Sequence, residues 1–151
     1  MPHQTLIDEF GYVVSHDLLK LFLGEKIGSG QFRDVYLLNI DESKVVKVEK
    51  GVSYENFGEY DVWQNVQHTK WGRWFAPVLW FSNYGSCLIQ PRCAPLPATG
   101  RPKRLPDFFA DIKSDNWGLL NGRVVCFDYG HHQFYRRGVK RAKLVKAHFH
   151  A

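Results

Sequence analysis

The part of the chain best suited to chemistry is a set of polar residues spaced around a short apolar segment. In order, these residues are Asp111, Lys113, Asn116, Asp128 and Gly130. Between them, Asn121-Gly122 separates two short apolar runs, which is the strongest short-range signal for a β-hairpin. A hairpin would bring Asn116 and Asp128 to one end, where their oxygens suit a hard cation such as Mg²⁺. This arrangement indicates phosphoryl transfer.

A second candidate element is the glycine-rich turn near residue 30. The segment from Gly24 to Leu38 has apolar positions on both sides of Gly28-Ser29-Gly30, which predicts strand, turn and strand. The two glycines are expected to adopt positive φ and to let the backbone approach a ligand closely. The N–H groups of such a turn can face phosphate oxygens. A Gly-x-Gly turn also occurs in ordinary hairpins, so this motif alone does not specify phosphate binding.

The next predicted strand, residues 44–49, carries a lysine in an alternating pattern. Lys47 shares a face with Val45 and lies opposite Val46 and Val48. One interpretation is a lysine that faces solvent on an amphipathic strand. The other is a lysine aimed at phosphate beneath the glycine turn.

A helix is predicted from Ser53 to Gln67, with Ser53 as its N-cap. Glu55 and Glu59 fall on the same face as the apolar residues of the helix. Because an unpaired buried carboxylate is unfavourable, these acids either pair with a buried cation such as Lys47 or lie in water at the edge of the stripe.

Two further strands, a short helix and a proline-rich segment are predicted in the rest of the chain. Residues 75–82 and 85–90 predict two strands around a turn at 83–85, and a short helix capped by Ser15 is predicted before the glycine turn. The proline-rich stretch 91–102 marks the best internal boundary.

Length and composition predict one folded domain over residues 1–151. The chain has 44% hydrophobic and 15% aromatic residues. Its three cysteines form no CxxC pair, which favours a reducing compartment. No leader and no apolar run long enough for a membrane span is evident, so a soluble, cytoplasmic protein without a membrane partner is expected.

The net charge of +5 is concentrated near the end of the chain, where six bases and no acid follow Asp128. These bases are Arg136, Arg137, Lys140, Arg141, Lys143 and Lys146. They form either a solvated arm or a contact for an acidic partner or nucleic acid.

Taken in order, the motifs resemble those of the protein-kinase-like superfamily. Residues 28–36 are similar to the glycine-rich loop of that family, and residues 45–48 to the strand that carries its phosphate-binding lysine. The Asp111-x-Lys113-x-x-Asn116 spacing resembles the catalytic loop, and Asp128-Tyr129-Gly130 resembles the Asp-Phe-Gly metal motif. The resemblance covers roughly residues 24 to 130. It implies an α+β fold, with an antiparallel N-lobe sheet and one αC-type helix over about 15–90 and a reduced C-lobe over 91–151.

The resemblance also implies a role for each motif residue, with ATP and Mg²⁺ as cofactors. Lys47, positioned by Glu59, would hold the α- and β-phosphates. Asp111 would orient the acceptor hydroxyl, and Lys113 would stabilise charge on the transferred group. Asn116 and Asp128 would hold Mg²⁺. The remaining ATP contacts would come from the glycine loop, the adenine-packing valines and the hinge, which together contain Gly28, Ser29, Gly30, Gln31, Phe32, Val35, Val45, Gln90, Arg92 and Cys93.

Several departures from the family pattern bear on function. Arg33 stands where many members have a third glycine, and Phe109-Ala110 replaces the usual His-Arg, which argues against activation through a phosphorylated loop. Only residues 91–110 separate Gln90 from Asp111, and only 131–151 follow Gly130. The expected lower lobe is therefore small, with the catalytic loop supported by Phe108, Phe109, Trp117 and the tail, or by a partner protein or second copy of the chain.

Three functions remain open from the sequence. The first is an active minimal kinase that transfers the γ-phosphate of ATP to a hydroxyl of a protein or small molecule. The second is a pseudokinase or nucleotide-binding interaction module without turnover. The third is a nucleic-acid-binding protein that uses the basic tail together with Phe134, Tyr135 and Phe149, and it is the least favoured.

Overall fold

The computed structural model describes residues 21–82, 84–109, 112–130 and 139–151. Within these ranges the protein is α+β, with ten strands in three antiparallel sheets and one α-helix. The predicted α+β class, with antiparallel strands and one helix, is confirmed at this level. The helix predicted at Ser15 and the acid Asp111 lie outside the described residues. Among the helices of the described ranges, none has the length and apolarity to cross a membrane.

The largest sheet contains five strands in the spatial order β1-β2-β3-β5-β4. Its strands are β1 (Leu23–Ser29), β2 (Arg33–Leu38), β3 (Asp41–Glu49), β4 (Trp80–Phe81) and β5 (Cys87–Pro91). Alternation along these strands gives the sheet two different faces. One face carries an apolar cluster built on Leu38, Val46 and Cys87. The opposite face carries Lys47 and packs against the helix α1 (Glu55–Val66).

Two strand predictions differ from the structure. Strand β3 begins at Asp41, three residues before the predicted start at residue 44. Strand β4 contains only Trp80–Phe81, although residues 75–82 were all predicted as strand. The reason is that the start of this segment crosses to another sheet, where Phe75 bridges Cys126 and the Ala76 amide donates to the Cys126 carbonyl at 2.8 Å.

The second sheet contains the hairpin predicted at Asn121-Gly122. Its strands are β6 (Ala94–Pro95), β8 (Trp117–Leu120) and β9 (Arg123–Cys126). Asn121 and Gly122 have φ values of 51° and 74°, as a two-residue type I′ turn requires. The hairpin prediction is therefore confirmed. It places the residues before β8 next to those after β9, since the Phe127 amide donates to the Asn116 carbonyl at 2.9 Å.

The third sheet joins the tail to the middle of the chain. Strand β7 (Arg104–Pro106) pairs with β10 (Leu144–Lys146). Further along, the Ser114 amide donates to the His150 carbonyl at 2.8 Å, and the His150 amide donates to the Ile112 carbonyl at 3.1 Å. The tail therefore runs beside the segments that flank residue 111.

The helix α1 begins differently from the prediction. Its N-cap is Tyr54, which has a left-handed φ of 59° and whose side chain accepts no capping hydrogen bond. Glu49, at the end of β3, accepts hydrogen bonds from the Ser53 and Asn56 amides at 3.4 and 2.9 Å. Ser53 as the N-cap is therefore wrong, and a carboxylate from the neighbouring strand accepts from the Asn56 amide in the first turn of the helix.

An aromatic core lies below the sheet and joins the helix, the hairpin and the tail. Phe75 is at its centre, with ring centroids 5.8 Å from Phe108, 5.1 Å from Phe109 and 4.9 Å from Tyr129. Phe109 in turn contacts Trp117 at 4.8 Å. The ring of Phe149, from the tail, lies 5.8 Å from Trp117. The residues expected to support the loop around residue 111 therefore pack together.

We expect Phe75→Ala to destabilise the protein by about 3–5 kcal/mol, because it removes a fully packed ring from this core. Phe75 is 1% exposed, whereas Phe57 is 56% exposed and serves as a matched control. Phe57→Ala should cost less than about 1 kcal/mol. Urea denaturation of the two variants measures both effects. Equal losses would show that Phe75 is not central to the core.

Candidate functional site

The strand register places the side chains of the site on one face of the five-stranded sheet. Val35 lies opposite Lys47 in the β2–β3 pair, and Val45 lies opposite Gln90 in the β3–β5 pair. Arg33, two residues before Val35, shares that face because strand side chains alternate. The register therefore brings together residues that are far apart in sequence.

A cavity of about 820 Å³ lies under this face. Its upper wall includes the turn at residues 30–32, and its far wall is formed by residues 90–95 and by Phe127 and Asp128. The residues of the predicted ATP site that line it are Gly30, Gln31, Phe32, Val35, Val45, Lys47, Gln90, Arg92 and Cys93.

Gly28 and Ser29 do not line this cavity. Both belong to β1, where Gly28 lies opposite Val35 and the Ser29 hydroxyl donates to Asp34 at 2.6 Å. The glycines with positive φ in the described chain are Gly85 and Gly122, so the positive φ expected at Gly28 and Gly30 is wrong. The strand simply continues further than the Gly-x-Gly motif indicated, and the turn is closed by a bond from the Gly30 amide to the Arg33 carbonyl at 2.8 Å.

Lys47 is a buried side chain, with 3% of its surface exposed. Its ammonium group lies 3.1 and 3.0 Å from the two carboxylate oxygens of Glu59 and also donates to the Phe127 carbonyl. The alternative of a solvent-facing lysine is therefore wrong. Glu55 and Glu59 are also buried, so the alternative that places both acids in water is wrong as well.

The Glu59 carboxylate is the most connected group of the site. In addition to Lys47, its Oε1 atom accepts from the Arg33 guanidinium at 2.8 Å and from the Tyr129 amide at 3.2 Å. The same Arg33 nitrogen donates to Asp128 at 2.9 Å. One helix side chain therefore joins two strands of the sheet to the segment after the hairpin.

The buried charges shift one another's pKa values. Burial alone would raise the pKa of Glu59, but Lys47 and Arg33 outweigh this effect and lower the pKa to about 2. Burial lowers the pKa of Lys47, although the attraction of Glu59 opposes the change. Burial would also lower the pKa of Arg33, but the charges of Glu59 and Asp128 raise it.

The helix and the segment after the hairpin approach each other through two glycines. A Cβ atom at Gly58 would lie 2.9 Å from the Gly130 carbonyl oxygen, and one at Gly130 would lie 3.0 Å from the Glu55 carbonyl oxygen. Gly58 weakens the helix intrinsically. Its lack of a side chain allows the backbones to come close enough for Glu59 to reach the Tyr129 amide.

Of the three predicted catalytic-loop residues, the structure describes Lys113 and Asn116. Asp111 lies outside the described residues. Lys113 is exposed and does not line the cavity. Asn116 is also absent from the cavity wall, but its carbonyl accepts from the Phe127 amide, so it lies beside the residue that precedes Asp128.

The donor chemistry near Asp128 is suitable for Mg²⁺, which binds one or two carboxylates and completes its shell with water and substrate phosphates. Asp128 is 45% exposed and lines the cavity. In the described ranges no group of three or more His, Cys, Asp or Glu residues is arranged to hold a metal ion. A cation here would therefore depend on Asp128, on Asn116 and on ligand oxygens.

Two residues of the site were not predicted as such. Arg33 appeared in the sequence only as a departure from a glycine, yet its side chain is 8% exposed and points to the acids. Asn56 accepts from Arg33 at 3.1 Å and donates to the carbonyls of Lys47 and Gly85. The alternation of β2, which puts Arg33 on the face of Val35, was the signal that could have identified Arg33.

The described part of the basic tail is exposed at its charged positions. These are Lys140, Arg141, Lys143 and Lys146. Arg136 and Arg137, together with Phe134 and Tyr135, lie outside the described residues. The pairing of β10 with β7 shows that residues 144–146 form a strand at the edge of a small sheet and not a free arm.

No protein-family model matches the sequence, and no curated protein matches it significantly.

Gly58→Ala should destabilise the protein by about 1–3 kcal/mol, because the added methyl group overlaps the Gly130 backbone. A helix surface without this contact would instead gain about 1 kcal/mol from the same substitution. Gly51→Ala is the control, since a Cβ atom there meets nothing within 4 Å. Urea denaturation shows whether Gly58→Ala lowers or raises the free energy of unfolding. Stabilisation by Gly58→Ala would contradict the close approach of the two backbones.

The lowered pKa of Glu59 predicts a specific pH dependence. Because the folded pKa is about 2 and the reference value is 4.5, the ionised carboxylate stabilises the fold fully above pH 4.5. This contribution declines as the pH falls from 4.5 towards 2. The difference in free energy of unfolding between wild type and Glu59→Gln should therefore be largest near pH 7 and shrink below pH 4.5. A difference that stays constant down to pH 3 would contradict the assignment.

Proposed function

We propose that this chain is an ATP- and Mg²⁺-dependent phosphotransferase with a protein-kinase-like fold, which transfers the γ-phosphate to a hydroxyl acceptor. The observation that carries the proposal is that Lys47 and Asp128 line one cavity, with Glu59 paired to Lys47 behind its wall. Sequence order alone did not require this convergence. The cavity volume of about 820 Å³ falls within the usual range for a small-molecule or cofactor site.

In this proposal each wall of the cavity has a separate task. Val35 and Val45 give an apolar surface for the adenine ring, and residues 90–93 supply the facing edge. Lys47 lies deeper, held by Glu59, where its ammonium group meets the α- and β-phosphates. Burial of this ion pair matters because a fixed charge in a low-dielectric site acts more strongly on a phosphate than an exposed one.

The acceptor would approach from the side of the segment around residue 111. Asp111 orients the hydroxyl and accepts its proton as the γ-phosphorus is attacked, while the bond to the ADP oxygen breaks. Asp128 and Asn116 would hold Mg²⁺, which would neutralise charge on the phosphates. Lys113 stabilises the transferring group.

The direct test combines binding with turnover. Mg²⁺-ATP should raise the melting temperature of the wild type, because a ligand that binds only the folded state stabilises it. Label from γ-³²P-ATP should appear in the protein or in an added acceptor. Lys47→Met should lose both effects, and Asp111→Ala should lose transfer while keeping the thermal shift.

Lys44→Met is the matched control, since Lys44 lies on the same strand, pairs with Asp41 and does not line the cavity. It should behave like wild type. A thermal shift without transfer in any acceptor mixture would favour the second candidate, a nucleotide-binding module without turnover, to which the contact between Arg33 and Asp128 gives specific support. Absence of any ATP-dependent shift would reject both functions.

A further inference from the structure

Arg33 occupies an unusual position for a charged side chain. It begins β2, directly after the turn at residues 30–32, and its guanidinium is buried in the cavity wall. It donates to Asn56 at 3.1 Å, to Glu59 at 2.8 Å and to Asp128 at 2.9 Å. One planar group therefore contacts the helix twice and the segment after the hairpin once.

The charge balance of the site depends on this residue. The charged side chains that line the cavity are Arg33, Lys47, Glu55, Arg92 and Asp128, and Glu59 lies directly behind them. Among the residues that the structure describes at this cavity, three cations and three carboxylates therefore balance. Without Arg33 one carboxylate would be in excess, and a polyphosphate would be repelled unless a metal ion accompanied it.

The same guanidinium contacts the carboxylate on which a metal would depend. Arg33 donates to Oδ1 of Asp128 and so neutralises much of the charge that attracts a cation. The Arg33–Asp128 ion pair is held on the other side by the fully buried Glu59, which prevents Arg33 from simply turning into solvent.

We propose that Arg33 is the resident cation of this site, which allows a nucleoside triphosphate to bind without a divalent metal and makes Mg²⁺ compete for Asp128. This inference rests on the proposed nucleotide site and concerns its order of assembly. The nucleotide binds before the metal, and Mg²⁺ is needed only for transfer of the γ-phosphate. Arg33 acts as a positioning residue for Asp128 and Glu59.

The test is calorimetric titration of the full chain with ATP, once in EDTA and once in excess Mg²⁺. The two dissociation constants of the wild type should agree within about threefold. Arg33→Gln should weaken binding in EDTA by about tenfold or more, the scale of one close charge pair, while binding in Mg²⁺ changes little. Arg123→Gln, which removes an exposed arginine at the turn of the hairpin, should match wild type.

Asp128→Asn gives an independent test, because it should strengthen ATP binding in EDTA where Arg33→Gln should weaken it. It removes the carboxylate that Arg33 neutralises, so ATP should bind more tightly in EDTA and gain nothing from Mg²⁺. Because Asp128 is partly exposed, this variant also serves if Arg33→Gln does not fold.

The outcomes distinguish the role of Arg33 from the proposed function itself. Wild-type binding that requires Mg²⁺, or an Arg33→Gln variant that weakens binding equally in both conditions, would overturn the role of Arg33 and leave the proposed function standing. Failure of ATP to bind in either condition would reject both.

Discussion

The structure depends on one buried carboxylate. Glu59 is fully removed from solvent and accepts hydrogen bonds from Arg33 on β2, from Lys47 on β3 and from the Tyr129 amide after the hairpin. An unpaired charge at this depth would be strongly unfavourable, so all three donors must stay in place together. The relative position of sheet, helix and hairpin is therefore constrained by these hydrogen bonds as well as by the aromatic core.

The walls of the cavity follow from the strand register. Because Val35 faces Lys47 and Val45 faces Gln90 across neighbouring strands, an apolar surface lies directly beside the buried cations. A flexible phosphate-rich ligand with one flat apolar end would match this division. The geometry also explains the use of glycine at positions 58 and 130, since only bare backbones allow the helix to lie that close to the segment after the hairpin.

Local patterns predicted the elements that depend on local chemistry. Alternation identified β3 and the face of Lys47, and Asn121-Gly122 identified a turn whose φ values only such residues adopt readily. Two of the failures, at Phe75 and Arg33, involve contacts between distant segments. Residues 75–79 leave the strand because Phe75 packs in the aromatic core, and Arg33 faces inward because it forms ion pairs with Glu59 and Asp128. The failure at Ser53 has a nearer cause, since Glu49 accepts from the Asn56 amide at the start of the helix. No window of neighbouring residues contains the partners of Phe75 or Arg33.

The pairing of β7 with β10 has a consequence for how the protein forms during synthesis. Residues 144–146 are made about 40 residues after their partners at 104–106, a delay of roughly 2 to 8 s at ribosomal speeds. All five strands of the largest sheet have been synthesised by then, whereas β7 still lacks β10, its one partner among the described residues. The β7–β10 sheet can therefore form only after residues 144–146 have been synthesised, later than every other strand pair of the described residues.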